Sequence, residues 1–556
     1  MPPRLWLASE MNTHSSKAAP HPTVGEQLQN AQVYRIGNDL VELLFYPREL
    51  DLRVGETLTL LERDSGKGLI IQVVAFRSAS YPSLVQEQMD NLLGPETLHS
   101  PLLDAIGFSL VVHPEQNGRS VELGNIKVAL AKIRKTIPTA HNHSSPSRWE
   151  QWDGWIPTRD VDIFLTDDRE VFENTTHDLG HRLHLGWTLG GHDFFLEGQD
   201  LEKVNVITGV KGSGKSHLAK VILLQLIEQG APCLVFDINR EYIHLPKAEY
   251  DPKTGEIVRR GIVHLEAGGN FRLGVRQFGL APLMTLLQRY GLPEVSALHF
   301  ENRIARLWEE AEAMEKNKNA PPYIGLDQLI QMAEQNEFGG GSSATVINHA
   351  IRSRLEALKN TYIFARTAAE AASLGKAYRQ IRSGGALVID ISALSNLARE
   401  GFVQSIIELI KDLCLWEIEH KTHRFPFIFF EEAHLYVSRR SIDYIVTRAR
   451  HLGITSFFVT NMIHGLDEAV LRQADNLFLL RIPFEDDVRH VSRGAATDYD
   501  TMEAFVRRLR QRHALTIGVA TAQYPLIFAV DPLENVNTAG ETRYFFQRET
   551  RKRERL

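Results

Sequence analysis

The stretch from Val204 to Ser216, VNVITGVKGSGKS, runs an apolar strand into a glycine-rich turn and then into the helical pattern HLAKVILL, His217 to Leu224. From Gly209 to Ser216 it fits G-x-x-x-x-G-K-[ST] at every fixed position, so the segment reads as a phosphate-binding loop. The physical reasons stand apart from the pattern. Gly209, Gly212 and Gly214 let the backbone take left-handed angles that side chains disfavour, so that successive N–H groups, that of Ser213 among them, turn toward phosphate oxygens. Lys215 adds a point charge for those phosphates, and Ser216 a hydroxyl ligand for Mg²⁺. His217 follows at the start of the helix, whose positive N-terminal end completes the cradle for ATP.

A chain of 556 residues with 43% apolar content can bury several cores, and a multidomain intracellular enzyme is the expected class. Its two cysteines, Cys233 and Cys414, fall in apolar contexts that read as a buried strand and a helix, which argues against disulfides, zinc and secretion. No apolar run approaches the roughly 18 residues that span a bilayer, and no signal-peptide core is present, so the expectation is a cytoplasmic protein without a membrane segment. The formal net charge of −7 argues against a basic coat for nucleic acid, but a channel lined by a few Lys and Arg is compatible with it.

Residues 1–28 lack apolar periodicity and read as a disordered tail. From residue 29 to 165, short alternating runs at 33–36, 40–45, 57–61, 69–74, 107–112, 126–133 and 161–165, separated by turn signals, predict a small β-barrel or sandwich. A short helix at 82–93 and a polar loop at 140–147 are expected within it. Residues 166–203 read as a bridge into an α/β domain over 166–535, with a helical insertion at about 282–374 and a C-terminal extension at 536–556. Val346, Ala350, Ile351, Leu355 and Leu358 recur at helix spacing in that insertion, after the flexible break Gly339–Ser343.

The strand PCLVFD ends in a polar cluster, and open α/β sheets gather functional groups beyond the carboxyl ends of their strands. Asp237, Asn239 and Glu241 are therefore expected at the phosphate crevice. The run FIFFEEAH is a second buried strand, tipped by two adjacent carboxylates. Glu431 takes the metal-side position and Glu432 that of the general base. A third strand, ITSFFVTN, ends at Asn461, suited to sensing the γ-phosphate or positioning water. Just before it, Arg450 fits an arginine finger reaching either its own nucleotide or a neighbour's, although a helix C-terminus also favours Arg through its dipole.

Taken together, GVKGSGKS, VFDINREY, IFFEEAH and RHLGITSFFVTN, behind a small barrel, resemble the HerA group of the HerA/FtsK superfamily over about residues 32–532. The resemblance implies a RecA-like core and a ring-forming, hexameric ATPase that moves double-stranded DNA through a central channel. It assigns phosphate contact to Lys215, magnesium to Ser216 and Glu431, general-base work to Glu432, sensing to Asn461 and a finger in trans to Arg450. Three departures stand out. The family commonly has Gln where Asn461 stands, Asp where Glu431 stands, and an Arg-His pair where this chain has Lys203, Val204 and Asn205.

Family members work with a separate nuclease or a sirtuin-like NAD-consuming subunit, in DNA-end processing or antiviral defence. This chain shows no second catalytic constellation, so such an effector is expected as another protein, docked on the N-terminal barrel. The rival reading is an assembly scaffold whose ATP site stabilises a ring and regulates an attached enzyme. A secretion or conjugation ATPase is the third.

Overall fold

The computed structural model describes residues 26–29, 31–45, 47, 50–78, 127–138, 149–158, 161–251, 253, 257–318, 320–339, 341–437, 451–461, 468–494, 498–534 and 536. The chain divides into two compact units, Met1–Asn174 and Thr175–Leu556.

The first unit is built on an antiparallel sheet of β1 (Ala31–Gly37), β2 (Leu40–Phe45), β3 (Thr57–Glu62), β4 (Gly68–Ser78), β5 (Lys127–Ile137), β6 (Glu150–Gln151) and β7 (Val161–Leu165). Its order is β1-β2-β5-β4-β3-β7, with β6 paired to β5. Alternation sets the buried face: Val41, Leu43 and Phe45 of β2 share it with Leu58, Leu60, Leu69, Ile71, Val73, Ala129, Ala131 and Ile163. Residues 26–28 depart from the expected tail. The Leu28 amide donates to Ile163 O at 2.8 Å, the Leu165 amide donates to Glu26 O at 3.0 Å, and the Leu28 side chain joins the core, because an unpaired β7 edge offers both hydrogen bonds and apolar surface. The helix expected at 82–93, the strand at 107–112 and the loop at 140–147 lie outside the described residues.

The second unit holds an eleven-stranded mixed sheet in the order β14-β15-β11-β16-β17-β10-β18-β19-β20-β8-β9. Its strands are β8 (Arg182–Thr188), β9 (Asp193–Glu197), β10 (Val204–Thr208), β11 (Pro232–Asp237), β14 (Ile262–Glu266), β15 (Gly385–Asp390), β16 (Phe427–Glu431), β17 (Thr455–Thr460), β18 (Asn476–Leu479), β19 (His513–Gly518) and β20 (Leu526–Val530). A separate ribbon pairs β12 (Glu249–Tyr250) with β13 (Ile257–Arg259). The seven strands from β14 to β18 run parallel. In β10, β11, β15, β16 and β17 every residue is buried, which accounts for their continuous apolar sequences. Stacked rings tie neighbours together, Phe236 to Phe430 and Phe430 to Phe458 at 5.3 Å each.

Residues 182–197, expected as part of a bridge, form β8 and β9 at the sheet edge. Leu183 and Leu185 of β8 face inward and are fully buried, a burial that a linker would not supply. The helix α1 (Lys215–Glu228) follows β10 and packs against the sheet through Leu218, Ile222 and Leu226. Between β14 and β15 run α2 (Leu280–Arg289), α3 (Glu294–Lys316), α4 (Leu326–Glu334), α5 (Ala344–Lys359) and α6 (Leu374–Ile381). In α5 the buried stripe is Ile347, Ile351, Leu355 and Leu358, whereas Val346 is 73% exposed. The helical period holds, and the buried face starts at Ile347 rather than at Val346. Both cysteines are free and buried, Cys233 on β11 and Cys414 on α7 (Asn396–Glu419). Among the described residues no helix is long and apolar enough to cross a membrane.

Candidate functional site

Register places the site. Thr208 is level with Thr460, Phe236 with Phe430, and Glu431 with Val459, so the segments that leave β10, β16 and β17 emerge on one rim of the sheet. At that rim the turn after β10 takes positive φ at Gly209 (153°), Gly212 (76°) and Gly214 (112°). Gly209 is also sterically required, since a Cβ there would lie 2.9 Å from Leu480 Cβ and 3.0 Å from Ser213 Oγ. Ser213 Oγ and Lys215 Nζ both donate to Val210 O, at 2.7 and 3.2 Å, closing the loop over itself.

Glu431 is 1% exposed and both of its carboxylate oxygens are engaged. Ser216 Oγ donates to Oε1 at 2.7 Å and Tyr242 Oη donates to Oε2 at 2.7 Å. Burial, helped by the nearby carboxylates of Glu241 and Glu432, pushes the Glu431 carboxyl up to about 7 against the pull of those two hydroxyls. Burial lowers the Lys215 ammonium, while Glu432, Glu431 and Glu241 act in the opposite direction. Lys215 therefore lies within the field of Glu431 and Glu432, which the sequence places more than two hundred positions away.

Glu432 leaves β16 with φ 51°, a left-handed value that turns its side chain away from the strand direction. Asn461 Nδ2 donates to Glu432 Oε1 at 3.2 Å. His434 Nδ1 lies 3.6 Å from Glu432 Oε2 and 2.9 Å from Thr460 Oγ1, and burial lowers its imidazole. A half-buried carboxylate held by an amide, with no lysine or arginine bonded to it among the described residues, is suited to accept a proton.

The residues fit magnesium. A serine hydroxyl and a desolvated carboxylate converge at the end of a phosphate loop, with three acidic side chains near one lysine. Among the described residues no group of three His, Cys, Asp or Glu could hold a metal by itself. Mg²⁺ suits a site of this kind, since it is ordinarily held by one or two carboxylates together with substrate phosphates.

Not every expected residue does what the sequence implies. His217 Nε2 lies 2.6 Å from Asp531 O, so its ring is engaged with the residue that follows β20. Asp237 accepts from the amides of Asn239, Glu241 and Tyr242 at 3.2, 3.0 and 2.8 Å; it shapes the turn after β11, while Asn239 is exposed. Glu241 does approach the site, paired with the buried Lys220 of α1 at 3.4 Å. Lys203 precedes β10, at the strand end away from the phosphate loop, where it lines a cavity of about 650 Å³ with His181, Arg424 and Thr455. Arg450 lies outside the described residues.

Three contributors carry at most a weak signal in the sequence. Tyr242 reaches Glu431 across the fold, Gln511 Nε2 donates to Gly212 O at 3.1 Å, and the Arg512 amide donates to Ser213 O at 3.0 Å. The tyrosine of VFDINREY was the nearest hint, through its place in a motif.

Residues 188–410 match the family model described as helicase HerA, central domain. Among curated proteins, no sequence matches the chain significantly. Similar solved structures include VirB4 of Thermoanaerobacter pseudethanolicus, 15% identical, TM-score 0.48, over 65% of this chain and 99% of that one. The bacterial conjugative coupling protein TrwBΔN70 is 11% identical, TM-score 0.46, over 66% and 92%. The genome packaging NTPase B204 from Sulfolobus turreted icosahedral virus 2 is 13% identical, TM-score 0.28, over 60% and 98%. At these identities and scores none of the three fixes what the chain does.

Proposed function

We propose that this chain, whose residues 188–410 match the helicase HerA central domain, is a HerA-type ATPase of the HerA/FtsK superfamily that uses ATP and Mg²⁺, and that it is a ring-forming motor that moves double-stranded DNA. The observation that carries the reading is the meeting of Lys215, Ser216, Glu431, Glu432 and Asn461 at one strand rim inside a sheet with a glycine loop.

In this reading the loop amides and Lys215 hold the β- and γ-phosphates, and Ser216 and Glu431 hold the metal, which when bound neutralises phosphate charge. Glu432 accepts a proton from the attacking water as its oxygen bonds to the γ-phosphorus. The bond from that phosphorus to the bridging oxygen breaks, and ADP leaves with the electron pair. Asn461 keeps Glu432 in position throughout. Arg450 acts from the adjoining protomer, so hydrolysis requires a ring, read here as a hexamer. The N-terminal sheet, with residues 26–28 bridging to its last strand, is read as a small barrel for docking a separate effector, a nuclease or sirtuin-like enzyme, in defence or DNA-end processing. The helices between β14 and β15 are read as an insertion on a RecA-like core.

Phosphate release by the full chain, measured with and without duplex DNA alongside particle mass by light scattering, tests the proposal. A ring whose turnover rises strongly with DNA supports it. ATP-dependent assembly with turnover indifferent to DNA overturns the motor in favour of a scaffold.

A further inference from the structure

The metal-side acid here is a glutamate, one methylene longer than the aspartate that the motif more often carries, and the added torsion gives its carboxylate more positions to occupy. Something has to restrict it. We infer that Tyr242 is the positioning residue for Glu431: its hydroxyl, 2.7 Å from Oε2, holds that oxygen so that Oε1 faces Ser216. The inference rests on the reading of the site as a magnesium–ATP site.

The tyrosine is placed as a rigid arm. Its ring is fully buried. Its backbone amide is bonded to Asp237 Oδ2 at 2.8 Å, and the same carboxylate fixes the short segment between them through the amides of Asn239 and Glu241. Lys220 Nζ sits 5.3 Å from the ring centroid, and that ammonium is itself paired to Glu241. The arm therefore has its base clamped on β11, its flank against α1 and its tip on β16. A phenol has only two torsions, so once base and flank are fixed the hydroxyl has one place to be.

Chemically, this divides the two oxygens of Glu431. Oε2 is committed to the Tyr242 hydroxyl, while Oε1 and the Ser216 hydroxyl are left as the pair that would hold the metal. Groups that orient a metal-holding side chain without touching the metal typically change affinity by about 10- to 100-fold when removed.

The test is binding of a fluorescent ATP analogue to the full-length protein, titrated with Mg²⁺ and separately in EDTA. Tyr242→Phe keeps the ring and removes one oxygen. The expected result is a Mg²⁺ half-saturation raised by about 10- to 100-fold, with the EDTA affinity unchanged. Glu431→Asp serves as the second variant: its carboxylate is drawn back from the phenol, so the same Mg²⁺ shift is expected, and Tyr242→Phe added to it should change little. An unchanged Mg²⁺ half-saturation in Tyr242→Phe overturns the inference, as does an equal loss of affinity in EDTA, which would mark the tyrosine as packing alone. If the unmutated protein shows no tightening by Mg²⁺, the magnesium–ATP reading itself fails, and that outcome is visible before any variant is made.

Discussion

Asn461 at the tip of β17 donates its side-chain amide to Glu432 Oε1 at 3.2 Å, so the strand after the acidic one holds the acid in place. The carboxylate and its holder should therefore be separable by mutation. Glu432→Gln is expected to retain ATP binding and lose turnover by about 10²- to 10⁴-fold, the range for removing a general base. Asn461→Ala should lower kcat by less, with KM little changed. Steady-state phosphate release together with equilibrium ATP binding checks both, and normal hydrolysis by Glu432→Gln would remove that residue from the mechanism.

Lys215 is buried among carboxylates with its ammonium folded onto Val210 O. That arrangement suits a side chain waiting for a polyanion. Lys215→Ala should weaken ATP binding by about 100-fold or more, the scale of losing a desolvated charge partner. Isothermal titration with and without Mg²⁺ would detect it, and unchanged affinity would contradict the cradle.

Complementation between two dead variants would decide where the finger comes from. Arg450→Ala and Lys215→Ala chains, each inactive alone, should regain hydrolysis when co-assembled, because an intact loop in one protomer can meet an intact arginine from the next. No recovery in mixed particles of normal mass would assign Arg450 to its own nucleotide or to none.

Away from the site, Glu417 on α7 is buried and takes two hydrogen bonds from Arg382, 2.7 and 3.0 Å, with another from the Arg424 amide and one from the Thr422 hydroxyl. Burial works to raise its carboxyl, but those donors outweigh it and hold it below the ordinary carboxylate value. A depressed folded-state pKa contributes stability that is complete above the unfolded value, about 4.5, and is lost as pH falls through the folded one. Arg382→Ala should cost about 3 kcal/mol near neutrality by leaving the carboxylate uncompensated. Its deficit relative to the unmutated chain should shrink below pH of about 4, which denaturant melts across pH would measure.

How much of this was legible follows from how local each signal is. Lys215 and Ser216 stand in one contiguous motif whose backbone demands are written in three glycines, and Glu431 and Glu432 end an apolar run too long to be chance surface. Both were readable. Asp237 was read as a crevice acid because it ends a buried strand, yet three amides nearer in sequence claimed its oxygens first. Tyr242 and Glu431 are 189 residues apart, and nothing in either segment announces the other. Leu28 looked like tail because one apolar residue has no period, and it gained its place only once β7 offered an open edge. Residues 182–197 were read as linker because two short strands interrupted by Gly190 and Gly191 lack the continuous apolar run of the central sheet.

The Arg512 amide and the Gln511 side chain are bonded to the carbonyls of Ser213 and Gly212, and the Val530 amide is bonded to Arg512 O. The hairpin of β19 and β20 is thus tied to the underside of the triphosphate cradle, and the last strand is tied to that tether. Tension applied to the chain beyond Val530 reaches the cradle's peptide groups through two rungs, without passing through any strand of the parallel core. A pull that reached Val530 would therefore act on the same loop that carries Lys215.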